Sequence, residues 1–246
     1  MSEAAVARQR GPGTITGAGE GAAASSWATL YRAAGWAAIV AVLLVPIQIT
    51  VFVLYPYPDG VAGWFELLND NPLAGLIDLD LLLVVDNILL VVIALAMYVG
   101  LRRANPSVAT MALGLWLVGL VLLIAANPAI EMLALSHRFA DATTEAERAA
   151  LLAAGEALIA TWEGTAFQVS YIIGQVAGLA MGWVMLKSSL FSRPTAYTLI
   201  AGNLVGFGYY LPAVGLAISA FSGVVLWAWF ALVARDFLRL AGRNDL

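Results

Sequence analysis

Apolar runs of bilayer length recur along this chain, and they decide what it can fold into. A helix crossing the hydrocarbon core, about 30 Å thick, needs about 20 mostly apolar residues. Residues 33–54 meet that requirement, with Pro46 as an expected kink, and so do 80–101, 108–127 and 166–186. Two further runs, 194–211 and 214–234, are separated only by a tight turn around Pro212. The reading is an all-α integral membrane protein, a bundle of six transmembrane helices. Composition agrees: of 246 residues, 62% are hydrophobic and 11% charged, against about 45–50% and about 25% in soluble domains. A water-soluble fold with this balance would expose large apolar patches.

Flanking charge sets the expected orientation, because Lys and Arg collect in cytoplasmic loops. Arg8, Arg10 and Arg32 precede the first run, and Arg102 and Arg103 follow the second. Lys187 and Arg193 follow the fourth; Arg235, Arg239 and Arg243 follow the sixth. Six crossings put all of these on one side and leave only Arg138 and Arg148 on the other. An odd number destroys the asymmetry. Both termini are therefore expected in the cytoplasm. Residues 1–27, rich in Gly, Ala, Ser and Thr, read as a disordered tail. Residues 28–238 form the membrane domain, and 239–246 a second short tail.

Two outer segments carry structure of their own. Residues 55–72 hold Trp64, Phe65, Leu67 and Leu68 among Asp59, Glu66 and Asp70, the pattern of a short helix lying at the headgroup level. In 128–165, Thr144 and Glu147 have capping-box spacing. Leu151, Leu152, Leu158, Ile159 and Trp162 then share one helical face, with Arg148, Glu156 and Glu163 off it. This predicts an amphipathic helix in the outer loop between spans three and four. No internal repeat is visible, which weighs against an inverted-repeat transporter.

Lipid is as apolar as leucine, so helices in it associate through close packing of small residues. Ser170, Gly174, Gly178 and Gly182 recur every four residues in the fourth run, as do Gly215, Ser219 and Gly223 in the sixth and Gly202 with Gly206 in the fifth. These are expected to be packing stripes.

Ionisable residues within a span mark function more often than other positions do. Asp78, Asp80 and Asp86 sit at the start of the second run, with Asn87 beside the last. The fourteen Leu, Ile and Val residues of 81–101 each favour insertion by about 0.3–0.6 kcal/mol, which outweighs the about 2.5–3.5 kcal/mol that one central Asp costs. The span inserts, with Asp86 turned inward. At similar depth lie Gln48, Asn203, and Gln168, Tyr171 and Gln175, the last three on one face of the fourth run. Asp86, Asn87, Gln48, Gln168, Tyr171, Gln175 and Asn203 are the expected lining of a polar pocket open to the outer side. The alternative is a packed core in which they bond one another, each pair worth roughly 1 kcal/mol or less.

Much chemistry is excluded. Net charge is −4 and there is no cysteine, so a basic nucleic-acid surface, disulfides and thiolate metal sites are absent. The single histidine, His137, makes no metal site. No phosphate-binding G-x-x-x-x-G-K-[ST] loop and no H-E-x-x-H motif occurs. No cofactor, metal or catalytic residue is expected.

The stretches LYRAAGWAAIVAVLL, NDNPLAGLIDLDLLLVVDNILLVVIALAMYVGLRR and VSYIIGQVAGLAMGWVMLKSSLFSRPTAYTLIAGNLVGFGYYL resemble a family of bacterial multi-pass membrane proteins, the domain of unknown function 4386. The resemblance runs from about Leu30 onwards. It implies a protein of the bacterial plasma membrane of about this size, and brings no catalytic residues with it. The expected function is binding or passage of a small molecule, lipid or ion at the polar patch. Its rivals are an accessory subunit packed against itself or another membrane protein, and an intramembrane enzyme using Asp78, Asp80 or Asp86.

Overall fold

The computed structural model describes residues 16–242. Residues 1–15 and 243–246 lie outside the described residues, and with them much of the expected N-terminal tail, Arg8, Arg10, Arg243 and the end of the C-terminal tail. Within the described residues every regular element is helical: α1 (Thr16–Leu54), α2 (Gly60–Asp70), α3 (Pro72–Asp78), α4 (Leu81–Leu101), α5 (Pro106–Ala126), α6 (Ala129–Asp141), α7 (Glu145–Trp162), α8 (Thr165–Leu186), α9 (Arg193–Gly206), a 3-10 turn (Phe207–Tyr210) and α10 (Gly215–Ala241). Helix α1 begins at Thr16, within the segment read as a tail. Extending a helix that already exists avoids the cost of a new nucleus, and Ala22, Ala23 and Ala24 favour it.

Six helices close a ring. Helix α1 packs on α4 and α10, α4 on α5, α5 on α8, α8 on α9, and α9 on α10. One end is filled by Tyr31, Ile93, Met97, Trp116, Met181 and Trp229 together with many alanines, which let the helices approach closely. There the ring of Phe237 lies 6.1 Å from Tyr31 and 5.6 Å from Phe191, gathering the start of α1, the α8–α9 loop and the end of α10. Arg102 at the end of α4 joins the same end, stacking 5.4 Å above Trp27.

Pro46 sits inside α1 and cannot donate the helical bond to the carbonyl of Val42. The Trp227 indole of α10 donates to that carbonyl instead, at 2.9 Å. The break in one helix thus becomes a staple to another.

The opposite end carries a second small core. Val61, Trp64, Phe65, Leu68, Leu79, Met132 and Leu151 bury one another between α2, α6, α7 and the α3–α4 junction. Trp64 is 6% exposed and Phe65 not at all. The segment read as a helix resting at the headgroups is therefore folded beneath α6 and α7, because those helices offer it an apolar partner. Helix α7 turns Leu151 inward, packs Leu152, Leu158, Ile159 and Trp162 around it, and leaves Arg148, Glu156 and Glu163 exposed. Its N-cap is Thr144, whose hydroxyl accepts from the Glu147 amide at 3.2 Å. Helix α6, ahead of it, was not anticipated as a separate element.

Among the described residues five stretches are long and apolar enough to cross a membrane: Trp27–Leu54, Leu81–Leu101, Pro106–Asp141, Glu145–Leu186 and Ala217–Ala241. The run expected over 194–211 is not among them. Its α-helix has 14 residues, about 21 Å at 1.5 Å per residue. The path then tightens into the 3-10 turn and breaks at Pro212 and at Ala213, whose φ is 66°. Arg193, Thr195, Tyr197 and Thr198 also dilute its apolar character.

Candidate functional site

The buried polar residues divide into two groups, held by different helices. The first lies where α3 breaks into α4. Asp80 adopts φ 62° and ψ 27°, a left-handed conformation that costs a non-glycine residue about 1 kcal/mol or more. It is held there: Gln48 of α1 donates to its carboxylate at 2.8 Å, and Asn127 donates to the neighbouring Leu79 carbonyl at 2.7 Å. Asp78 is fully buried, and neither of its carboxylate oxygens has a hydrogen-bond partner. Burial pushes its carboxyl up to about 6. The same carboxylates reach Tyr57, where burial first and then the Asp80 and Asp78 charges push the phenol up.

The second group joins α8, α9 and α10. The Tyr171 hydroxyl donates to the Gly206 carbonyl at 3.0 Å and meets the Ser219 hydroxyl at 3.1 Å. Ser222 donates to the Gly202 carbonyl at 2.8 Å. Two amides interlock across α8 and α9. A methyl group at Gly178 would collide with the Asn203 amide, and one at Gly206 with the Gln175 amide. Each glycine is the socket for the other helix's polar side chain. Asn203 then satisfies itself on its own Leu199 carbonyl at 2.7 Å, whereas Gln175 Oε1 stays buried without a donor. The rings of Phe167, Tyr171, Tyr209 and Tyr210 close the end of this group away from Asp236, with Tyr171 and Tyr209 5.1 Å apart.

The seven expected pocket residues therefore do not form one bonded cluster. Tyr171, Gln175 and Asn203 come together. Gln48 belongs to the aspartate group. Gln168 sits at the end of α8, bonded to the Glu163 carbonyl at 3.3 Å and beneath Tyr210. Asn87 is buried but bonds back to Leu83 at 2.7 Å. Asp86 is half-buried, with its Oδ1 buried and unpartnered. The glycine stripes divide similarly. Gly178, Gly182, Gly202 and Gly206 each face a side chain of a neighbouring helix, and Ser170 lies against Gly119 of α5. Gly174 and Gly223 open on free space, and Gly215 serves the turn from Tyr209.

One polar cluster was not anticipated. At the aromatic end, Asp236 of α10 is 3% exposed. It accepts from the Ser192 amide at 2.9 Å, the Thr195 hydroxyl at 2.5 Å and Arg235 at 3.0 Å. Arg235 also donates to the Ser192 hydroxyl at 2.7 Å. Ser192 is the N-cap of α9, two residues before Pro194. That Ser-x-Pro-Thr pattern is a helix-start signal; what it lacked in the sequence was any pointer to Asp236.

Among the described residues no group of three or more His, Cys, Asp or Glu side chains is arranged to hold a metal ion. The only ion pair among them is Arg235–Asp236. Asp78, Asp80 and Asp86 thus lie without a basic partner, in a part of the molecule able to accept positive charge or protons. No curated protein and no solved structure matches the chain. Residues 74–238, from α3 to near the end of α10 and so including Asp78, Asp86, Gln175 and Asp236, match the family model of the domain of unknown function DUF4386, and the chain belongs to that family.

Proposed function

We propose that this chain is a six-span protein of the bacterial plasma membrane, with both termini cytoplasmic, that binds or passes a small cation or cationic solute through the polar half of its helix ring. The reading rests on the carboxylates. A buried ionised group without a partner costs several kcal/mol, and both Asp78 oxygens and one oxygen of Asp86 are in that position. A cation or a proton supplies what the protein does not. The sixth crossing is α9 with its 3-10 turn. Thr195 at its start bonds to Asp236 near the end of α10, and Gly206 at its end takes Tyr171 near the start of α8. It therefore runs the length of the ring, and the six crossings keep the arginine-bearing ends together.

The reading is non-enzymatic. Asp86 lies six residues beyond Asp80, about 9 Å along α4, whereas an acid and a base must both come within hydrogen-bond reach of one substrate. The test uses purified full-length protein and a panel of Na⁺, K⁺, Ca²⁺, Mg²⁺ and small amines. At least one should raise the thermal midpoint of the parent, with Asp86→Asn and Asp78→Asn losing that response while remaining folded. A parent indifferent to the whole panel between pH 5 and 8, yet recovered from native membranes with a fixed protein partner, would replace this reading with that of an accessory subunit.

A further inference from the structure

A groove of about 610 Å³ runs between α1 and α10, away from the aspartates. Ile39, Val42, Leu43, Ala231 and Leu238 line it, and Arg235 and Arg239 stand at one end. The other end lies near the Trp227 indole, which is bonded to the Val42 carbonyl. On α10 the groove's lining runs from Ala231 to Arg239, eight residues and about 12 Å along the helix, within the about 15 Å depth of one leaflet's hydrocarbon. The wall is thus apolar along the part of an acyl chain nearest its headgroup and cationic where the headgroup would lie.

The charge at that end is not cancelled. Asp236 pairs with Arg235, and Arg239 has no carboxylate partner among the described residues. Arg239 also borders a second pocket of about 420 Å³, lined by Ser189, Ser192 and Asp236. The two pockets meet at this side chain, which places a guanidinium between an apolar slot and a polar recess.

We infer that the α1–α10 groove holds one anionic phospholipid, its acyl chain along Val42 and Ala231 and its phosphate on Arg239. Charge complementarity selects the headgroup, and the apolar wall excludes a soluble phosphate ester as the occupant. The experiment titrates the full chain, purified in a neutral detergent, with phosphatidylglycerol and with phosphatidylcholine, counting bound lipid by native mass spectrometry. Phosphatidylglycerol should bind about fivefold more tightly, the worth of one interfacial arginine. Arg239→Gln should bring the two lipids level, and Ala231→Trp, which fills the slot and leaves the charge in place, should weaken both. Equal binding by the parent overturns the inference, as does a preference that survives Arg239→Gln. So does Ala231→Trp if it leaves both lipids bound as before, or shifts the oligomeric state instead, which would make the groove a contact with a second copy. Glycerol 3-phosphate displacing the lipid completely would also overturn it.

Discussion

Asp236 and Asp78 are both buried carboxylates, at opposite ends of one helix ring, and they are treated in opposite ways. Asp236 accepts from a backbone amide, a threonine hydroxyl and a guanidinium. Asp78 accepts from nothing. The first spends its charge on structure: it fixes the start of α9 to the end of α10. The second keeps its charge uncompensated, which no packing argument rewards. A carboxylate that the fold has satisfied is a staple, and one that the fold has left open is where a ligand or a proton belongs. The two ends differ in what surrounds them as well: the aromatic end packs Trp116, Trp229, Phe237 and Met181 against one another, whereas the aspartate end leaves both Asp78 oxygens and one Asp86 oxygen without a donor.

The sharpest way to break this comparison is to remove both carboxylates in turn. Asp236→Ala should cost about 3 kcal/mol, because it strands a guanidinium and two donors, measured by reversible unfolding in mixed micelles. Asp78→Asn should cost nothing or stabilise at neutral pH. Equal losses from the two would mean that Asp78 has structural partners after all.

The glycines of α8 sharpen the same contrast on a single helix. Gly178→Ala should cost about 1–3 kcal/mol by overpacking against Asn203. Gly174→Ala, one turn away, should be neutral or raise stability by up to about 1 kcal/mol through helix propensity. Thermal midpoints of the two variants in the same detergent decide it; similar losses in both would show that a neighbour packs against α8 at Gly174 as well.

Trp227→Phe removes the donor to the Val42 carbonyl and should cost about 1 kcal/mol. Combined with Pro46→Ala, which restores a backbone N–H, the loss should shrink. A double-mutant cycle showing strict additivity would disprove the staple.

The remaining test is a pH dependence. The Asp78 carboxyl is raised from 3.8 to about 6 by burial, so its protonated form is the one the fold prefers. Its contribution to stability is complete below about pH 4 and is lost as pH rises through about 6. Thermal midpoints taken from pH 4 to 8 should therefore fall across that window in the parent and flatten in Asp78→Asn. A parent midpoint that rises across it would reverse the assignment.

Much of this architecture was legible before any coordinates. Length and apolarity alone delimit α4, α5 and α8 to within two residues of the helices observed, because a lipid-spanning helix must satisfy its backbone internally and so leaves a continuous apolar run. The N-cap at Thr144, the inward face of α7 and the polar residues of α8 follow from local spacing. What spacing could not reveal was which partner each side chain meets. Gln175 and Asn203 were grouped with Asp86 by depth, yet two glycines on facing helices pull them into an α8–α9 interlock. Gly174 and Gly178 look equivalent in the sequence, and only the position of α9 separates them. Nothing in the local sequence around Asp236 points to the α8–α9 loop, whose Ser192 and Thr195 fold onto it.

The chain by itself determined that its helices are apolar and how long most of them are, since these depend on the solvent each residue tolerates. The tertiary structure decided which buried carboxylate is satisfied and which is not. That is a matter of donors placed within about 3 Å; beside Arg235, those of Asp236 come from Ser192 and Thr195, more than forty positions away, and no local pattern encodes it.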